Sequence, residues 1–216
     1  MNTTNMDPEG SLSDDLIDRE VTSGFDSREF WPERTINDMI KRDVVRRELN
    51  RAGKPYDDEL VNYILEHAKK LFAIAATIDA RPELLLETMK FFQSNDFRDS
   101  SLSAENASSG GSASDDSFSS LLCNKLTALD RKLWRSTRRT NFSKAQWKVQ
   151  APVFSTAKSN YDFKPEAILP FIETKRNIKS GAFSRVHKVS IHPDHYKDAD
   201  CPVSGLVLLL LAEWKG

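Results

Sequence analysis

The chain has 216 residues, 39% of them hydrophobic and 29% charged, which suits one compact core of modest size with flexible segments and excludes one uniform globule. Two cysteines, Cys123 and Cys201, lie far apart with neither redox nor metal spacing, so reduced thiols are expected and nothing in the spacing favours a disulfide. The formal net charge of −1 hides an asymmetry: residues 1–30 carry eight Asp/Glu against two Arg, whereas residues 131–148 carry seven Lys/Arg and no acid, so the two stretches attract each other.

The longest apolar run is far shorter than the roughly 20 residues that span a bilayer, and no membrane span is expected. No charged-then-apolar leader opens the sequence. An intracellular chain, cytoplasmic or nuclear, is therefore expected, with the sequons at Asn2, Asn106 and Asn141 unused.

In chain order, residues 1–26 are acidic and poor in apolar surface and are expected to be disordered. A helical bundle is predicted over 27–98. It opens at Phe30-Trp31-Pro32, with Thr35 as N-cap and Ile36, Met39 and Ile40 on one side. A second start at Asp43 leads through Val44 and Leu49 to a stop at Gly53. The clearest stripe, from Leu60, Val61, Ile64 and Leu65 through Ala68, Leu71, Phe72 and Ala75, predicts one helix from about Asp58 to Ala76. Pro82 then fits the first turn of a helix carrying Leu84, Leu85, Met89 and Phe92. These stripes are expected to form core, and the bundle is also the natural place for a protein-docking surface.

Residues 99–117, with eight serines and Gly110-Gly111, read as a flexible linker in which Ser112, three before Asp115, is a phosphorylation candidate. Residues 118–150 combine a helix, on Phe118, Leu122, Leu126, Leu129 and Leu133, with a basic and aromatic connector. There Arg131, Lys132, Arg135, Arg138, Arg139, Lys144 and Lys148 interleave with Trp134, Phe142 and Trp147. Such a mixture serves phosphate neutralisation and base stacking, or else a solvated helix end with core anchors. Nucleic-acid binding is the less favoured of the two, because no reader module frames the cluster.

Residues 151–200 hold the segment of greatest interest, Ile178-Lys179-Ser180-Gly181-Ala182-Phe183-Ser184-Arg185-Val186. A glycine at a hairpin tip supplies a positive φ whether or not a ligand is present. The spacing also matches G-x-G-x-x-G-x-V, with Lys179, Gly181 and Ser184 on the three glycine positions, Val186 on the valine and Phe183 near the tip. His192-Pro193-Asp194-His195 follows. Proline there favours a turn over a two-histidine metal face, so no metal ligands are expected. His67, on the long predicted helix, is read as a structural histidine.

With Leu169-Pro170-Phe171-Ile172-Glu173 before the loop and Val189 to His195 after it, the text resembles a group of filamentous-fungal protein-kinase-domain proteins. The resemblance includes Phe30-Trp31-Pro32-Glu33 through Leu102 and Gln146 to Phe154, and spans roughly residues 27–198. It implies an α+β chain: a small helical bundle, a linker, a further helix, and a hairpin like the first strands of a kinase N-lobe. It also implies ATP with magnesium in a complete relative, phosphorylating serine or threonine, with Ile178, Lys179, Gly181, Phe183, Ser184 and Val186 around the nucleotide.

The departures are equally specific. Only one of three glycines is present, and neither H-R-D nor D-F-G can be placed. The resemblance ends after Cys201-Pro202, and in Ala212-Glu213-Trp214-Lys215 one residue too many separates Ala212 from Lys215 for the third-strand A-x-K. Residues 201–216 form an apolar tail of uncertain status, and the chain reads as truncated. No activity in isolation and no tightly bound nucleotide are expected.

Overall fold

The computed structural model describes residues 10–78, 81–102, 130, 132–155, 157, 161, 163–180, 185–197 and 206–211, of which 174–180, 185–188 and 206–211 are described by backbone only. Helices and antiparallel strands both occur, in keeping with an α+β class. The chain divides into two compact units, Met1–Arg19 with Thr35–Gln146, and Glu20–Arg34 with Trp147–Gly216.

The first unit is helical. Its centre is α5 (Lys69–Ile78), where Leu71, Phe72, Ala73, Ile74, Ala75 and Ala76 are all buried. A helix apolar all round must be enclosed on every side. Around it pack α1 (Leu12–Ile17), α4 (Asp58–His67), α6 (Pro82–Ser94) and α7 (Ser136–Ala145). Helix α2 (Glu33–Met39) starts directly after Pro32, so Thr35 lies inside it rather than at its cap. In α3 (Arg42–Asn50) the predicted stop is clear: Gly53, at φ +62°, donates its amide to Asn50 O at 3.0 Å. Pro82 occupies the first turn of α6 as predicted, although Leu84 is half-exposed and Leu86 and Thr88 take buried places.

Three sequence expectations differ from this unit. The helix predicted from Asp58 to Ala76 is two helices, α4 and α5, broken at Ala68 with φ −140° and ψ 32°. Ala68 is itself fully buried, so the apolar stripe runs across the break without interruption. The restarted helix takes its cap from far along the chain, where the Asp99 carboxylate accepts from Lys70 N at 3.1 Å and Leu71 N at 3.0 Å.

Second, part of the acidic segment expected to be disordered is structured. Ser11 caps α1, Leu12 and Leu16 are buried, and Leu12 N donates to the buried carboxylate of Glu48. Two apolar residues one turn apart are too few to predict a helix alone, but they suffice against a surface already formed by α5. Third, the helix predicted to end near Arg135 lies mostly outside the described residues, with residues 132–134 in a turn and α7 beginning at Ser136. Of the proposed linker, Asp99–Leu102 forms a short 3-10 helix, and residues 103–117 lie outside the described ones.

The second unit joins two distant stretches of chain. β1 (Val21–Thr22) and β2 (Glu29–Phe30) form a small antiparallel ladder, Val21 opposite Phe30 and Thr22 opposite Glu29. The sequence analysis placed residues 27–34 with the bundle, because two-residue strands leave no periodic signal. Their turn is fastened to the later segment. Ser23 Oγ donates to Leu169 O at 2.7 Å, Gly24 N to Phe171 O at 2.6 Å, and the Arg28 guanidinium to Glu166 O and Ala167 O at 2.8 and 2.7 Å. A Cβ on Gly24 would lie 3.2 Å from Ile172 O, so glycine permits this approach.

A three-stranded antiparallel sheet follows in chain order, β3 (Phe171–Ser180), β4 (Arg185–Ile191) and β5 (Leu206–Leu211). Its base is anchored by Phe154, Leu169, Phe171 and Val189, with Phe25, Tyr161, Phe163, Ile191 and Tyr196 packed around them.

Candidate nucleotide-binding hairpin

The residues singled out for nucleotide lie at the closed end of β3 and β4. The register sets Lys179 opposite Val186 and Ser180 opposite Arg185. Ile178 and Lys179 thus belong to β3 and Val186 to β4, while Gly181, Phe183 and Ser184 lie in the connection, outside the described residues. The predicted hairpin is present.

The two strands are unequal. From Lys175 to Lys179 β3 advances four residues while β4 goes from Lys188 to Val186, so two extra residues bulge from β3 just before the tip, and Ile178 lies in that bulge. β4 and β5 pair without a shift, from Arg185 opposite Leu211 to Ser190 opposite Leu206. Residues 171–191 carry Lys175, Arg176, Lys179, Arg185 and Lys188 against the single acid Glu173. Register also puts Lys175 opposite Lys188.

At the sheet's base the histidine motif forms the expected turn, a 3-10 helix over Pro193–His195. Burial holds the His192 ring below its ordinary pKa and lowers His195 to about 4. Among the described residues, no group of three or more His, Cys, Asp or Glu is placed to hold a metal ion. His67 is half-buried, its Nε2 3.8 Å from Glu66 Oε2. Lys215 lies outside the described residues.

The basic and aromatic stretch is resolved differently from a stacking surface. Trp134 and Phe142 are 1% and 0% exposed, and Trp147, in the second unit, is 8% exposed. Trp134 stacks on Phe92 at 5.7 Å and meets Phe142 edge-on at 5.4 Å. Arg138 is buried above the Trp134 ring at 4.9 Å, donates to Leu133 O at 3.1 Å and hydrogen-bonds Thr88 Oγ1. The aromatic half of the cluster is thereby committed to the core, and base stacking is not available to it. This agrees with the favoured of the two sequence readings, in which the tryptophans are core anchors.

A second charged cluster, in keeping with the attraction expected between the acidic residues 1–30 and the basic residues 131–148, joins the first residues of the unit to the later ones. Lys148 Nζ lies 2.6 Å from Glu20 Oε1 and 3.2 Å from Glu29 Oε2, and Trp31 N donates to Lys148 O at 2.9 Å. Burial raises the Glu20 carboxyl, and its hydrogen bond to Glu29 lowers the latter. On the first unit, a shallow depression of about 490 Å³ is lined by Asn50, Gly53, Lys54, Pro55, Tyr56 and Asp58. Its polar groups already serve one another and the neighbouring helix: Tyr56 Oη donates to Asn50 Oδ1 at 2.8 Å, and Lys54 pairs with Glu87 at 2.9 Å.

No helix among the described residues is long and apolar enough to cross a membrane. Comparisons with protein-family models, with curated proteins and with solved structures find no match to this chain.

Proposed function

We propose that residues 171–211 are the opening strands of a protein-kinase-like N-lobe whose β3–β4 tip faces nucleotide phosphates, with the helical unit serving as a regulatory or docking element. The observation that carries this reading is the hairpin register. With Lys179 opposite Val186, the first and last positions of the phosphate-loop pattern close a tip containing Gly181, as a loop that offers backbone amides to phosphates requires.

The excess of cations over residues 171–191 supports an anionic ligand. Ile178 and Val186 are the apolar residues of the pattern on either side of the tip. No residue of the chain is assigned to magnesium binding or to hydroxyl activation, so phosphoryl transfer by this chain is not expected.

A hairpin offers a ligand only backbone amides and one apolar wall, so the affinity of residues 1–216 for Mg-ATP should be weaker than about 1 mM, equivalent to about 4 kcal/mol. Titration of labelled protein with Mg-ATP, following the amides of Gly181 to Val186, tests this. Shifts confined to those amides, reduced by Gly181→Asp, are expected. Unchanged resonances at tens of millimolar would overturn the nucleotide reading, and saturation at micromolar ATP would overturn the claim that the site is incomplete.

A further inference from the structure

His195 is 2% exposed, and its Nδ1 lies 3.2 Å from Pro152 O. A carbonyl oxygen only accepts, so Nδ1 carries the ring proton and Nε2 is left with a bare lone pair. Nε2 is buried and has no hydrogen-bond partner among the described residues. The Phe30 ring stands edge-on at 5.3 Å, and the His192 ring lies 6.0 Å away.

The backbone around this ring forms a clip. Phe154 N donates to His195 O at 2.8 Å, Lys197 N to Phe154 O at 2.9 Å, and His192 N to Pro170 O at 2.8 Å. Phe154 and Tyr196 thereby form a parallel bridge, which joins the 152–154 connector to the turn that ends β4. Pro152 and Phe154 are thus held by both the side chain and the main chain of a single histidine.

We propose that His195 is a proton-operated latch, in which a second proton on the ring opens the clip between residues 152–154 and residues 192–197. The added proton would sit on Nε2, which is buried and has no acceptor among the described residues. The charged groups that face the ring are few. His192 opposes a positive charge, whereas Glu33 of α2 and Asp194 of the turn favour it, Asp194 being shared with Arg34, whose Nε is 3.7 Å away. Residues 150–154 and Phe30 contribute no ionisable side chain.

Desolvation outweighs these attractions, and the closed ring titrates only at about 4. The opened ring titrates near its ordinary value of about 6.5. As pH falls below 6.5 the open form binds protons first, so opening is favoured progressively until about pH 4, where the closed ring protonates as well. The full span corresponds to roughly 300-fold in the opening equilibrium.

Amide hydrogen exchange on the full chain, corrected for the intrinsic pH dependence of exchange, reads the latch directly. Protection at Phe154 and Lys197 should fall by about 80-fold from pH 6.5 to pH 4, while protection at Met89 and Phe92 in α6 stays constant. His195→Asn retains an N–H near the Nδ1 position but cannot titrate. It should keep protection at neutral pH and lose the pH response, whereas His192→Asn should keep that response. A pH response surviving in His195→Asn, or none in the parent chain, would overturn the latch. Should His195→Asn fail to fold, ring nitrogen shifts of the parent decide: a bare Nε2 and titration far below 6.5 are expected, and titration near 6.5 in the folded chain refutes the proposal.

Discussion

Replacing Asp99 by alanine removes both cap bonds from the start of α5. That helix is the buried centre of its unit, and its first amides at Lys70 and Leu71 receive the Asp99 carboxylate from 29 and 28 residues away. Loss of an ordinary N-cap costs about 1 kcal/mol, and a hydrogen bond to a charged group contributes about 1.5–3 kcal/mol. Two bonds to one half-buried carboxylate therefore place Asp99→Ala at about 2–3 kcal/mol, since partial solvation of the freed amides offsets some of the loss. Asp99→Asn keeps an acceptor but gives up the charge favoured at a helix N-terminus, for about 1 kcal/mol. Urea denaturation followed by helical circular dichroism measures both, with Glu87→Ala, which removes an exposed pair with Lys54, expected within about 0.5 kcal/mol of the parent. An Asp99→Ala midpoint equal to the parent's, at unchanged slope, would refute the account of why the helix restarts after Ala68.

Phe92→Ala should cost about 3–5 kcal/mol in the same assay, because the ring is fully buried against Trp134 and Phe142 and leaves a cavity between them. Gly24→Val should destabilise the second unit by about 1–3 kcal/mol, read as lost exchange protection at Phe171 and Val189, since its side chain meets the backbone at Ile172. Against His195→Asn, the parent chain should lose about 3 kcal/mol of stability between pH 6.5 and pH 4: the unfolded imidazole protonates first and the buried one only at about 4. Equal pH profiles for the two proteins would show that the ring is not shielded.

What was legible in the sequence was whatever produced a period or a punctuation mark. Gly53 and Pro82 were legible because each acts through its own backbone, and the stripe of α4 and α5 because burial recurs every three or four residues. The break at Ala68 was not, because a buried alanine fits the stripe whether or not the helix continues, and its cap lies at Asp99. The pattern around Gly181 foretold a hairpin, since the tip chemistry is local. The bulge before it was not foretold, since register depends on the partner strand. Charge in the 131–148 stretch suggested a surface, yet Arg138 is buried over Trp134, where its stem and planar head pack as an apolar group would.

Ser23 hydrogen-bonds Leu169, 146 residues later, and the partners of Arg28 lie 138 and 139 residues on. Protein synthesis adds about 5–20 residues per second, so the segment from Glu20 to Arg34 waits roughly 7–30 s before the surface it closes upon has been made. Helices around α5 can assemble meanwhile, whereas Phe30 and the turn at Gly24 are finished components held in storage. Of the two units, a ribosome therefore completes the second later, although its opening strands emerge before most of the first. The same order gives a practical rule for dissecting the chain: a piece beginning at Trp147 lacks the strand pair that fastens Leu169 and Phe171, and supplying residues 20–34 as a separate peptide should restore it.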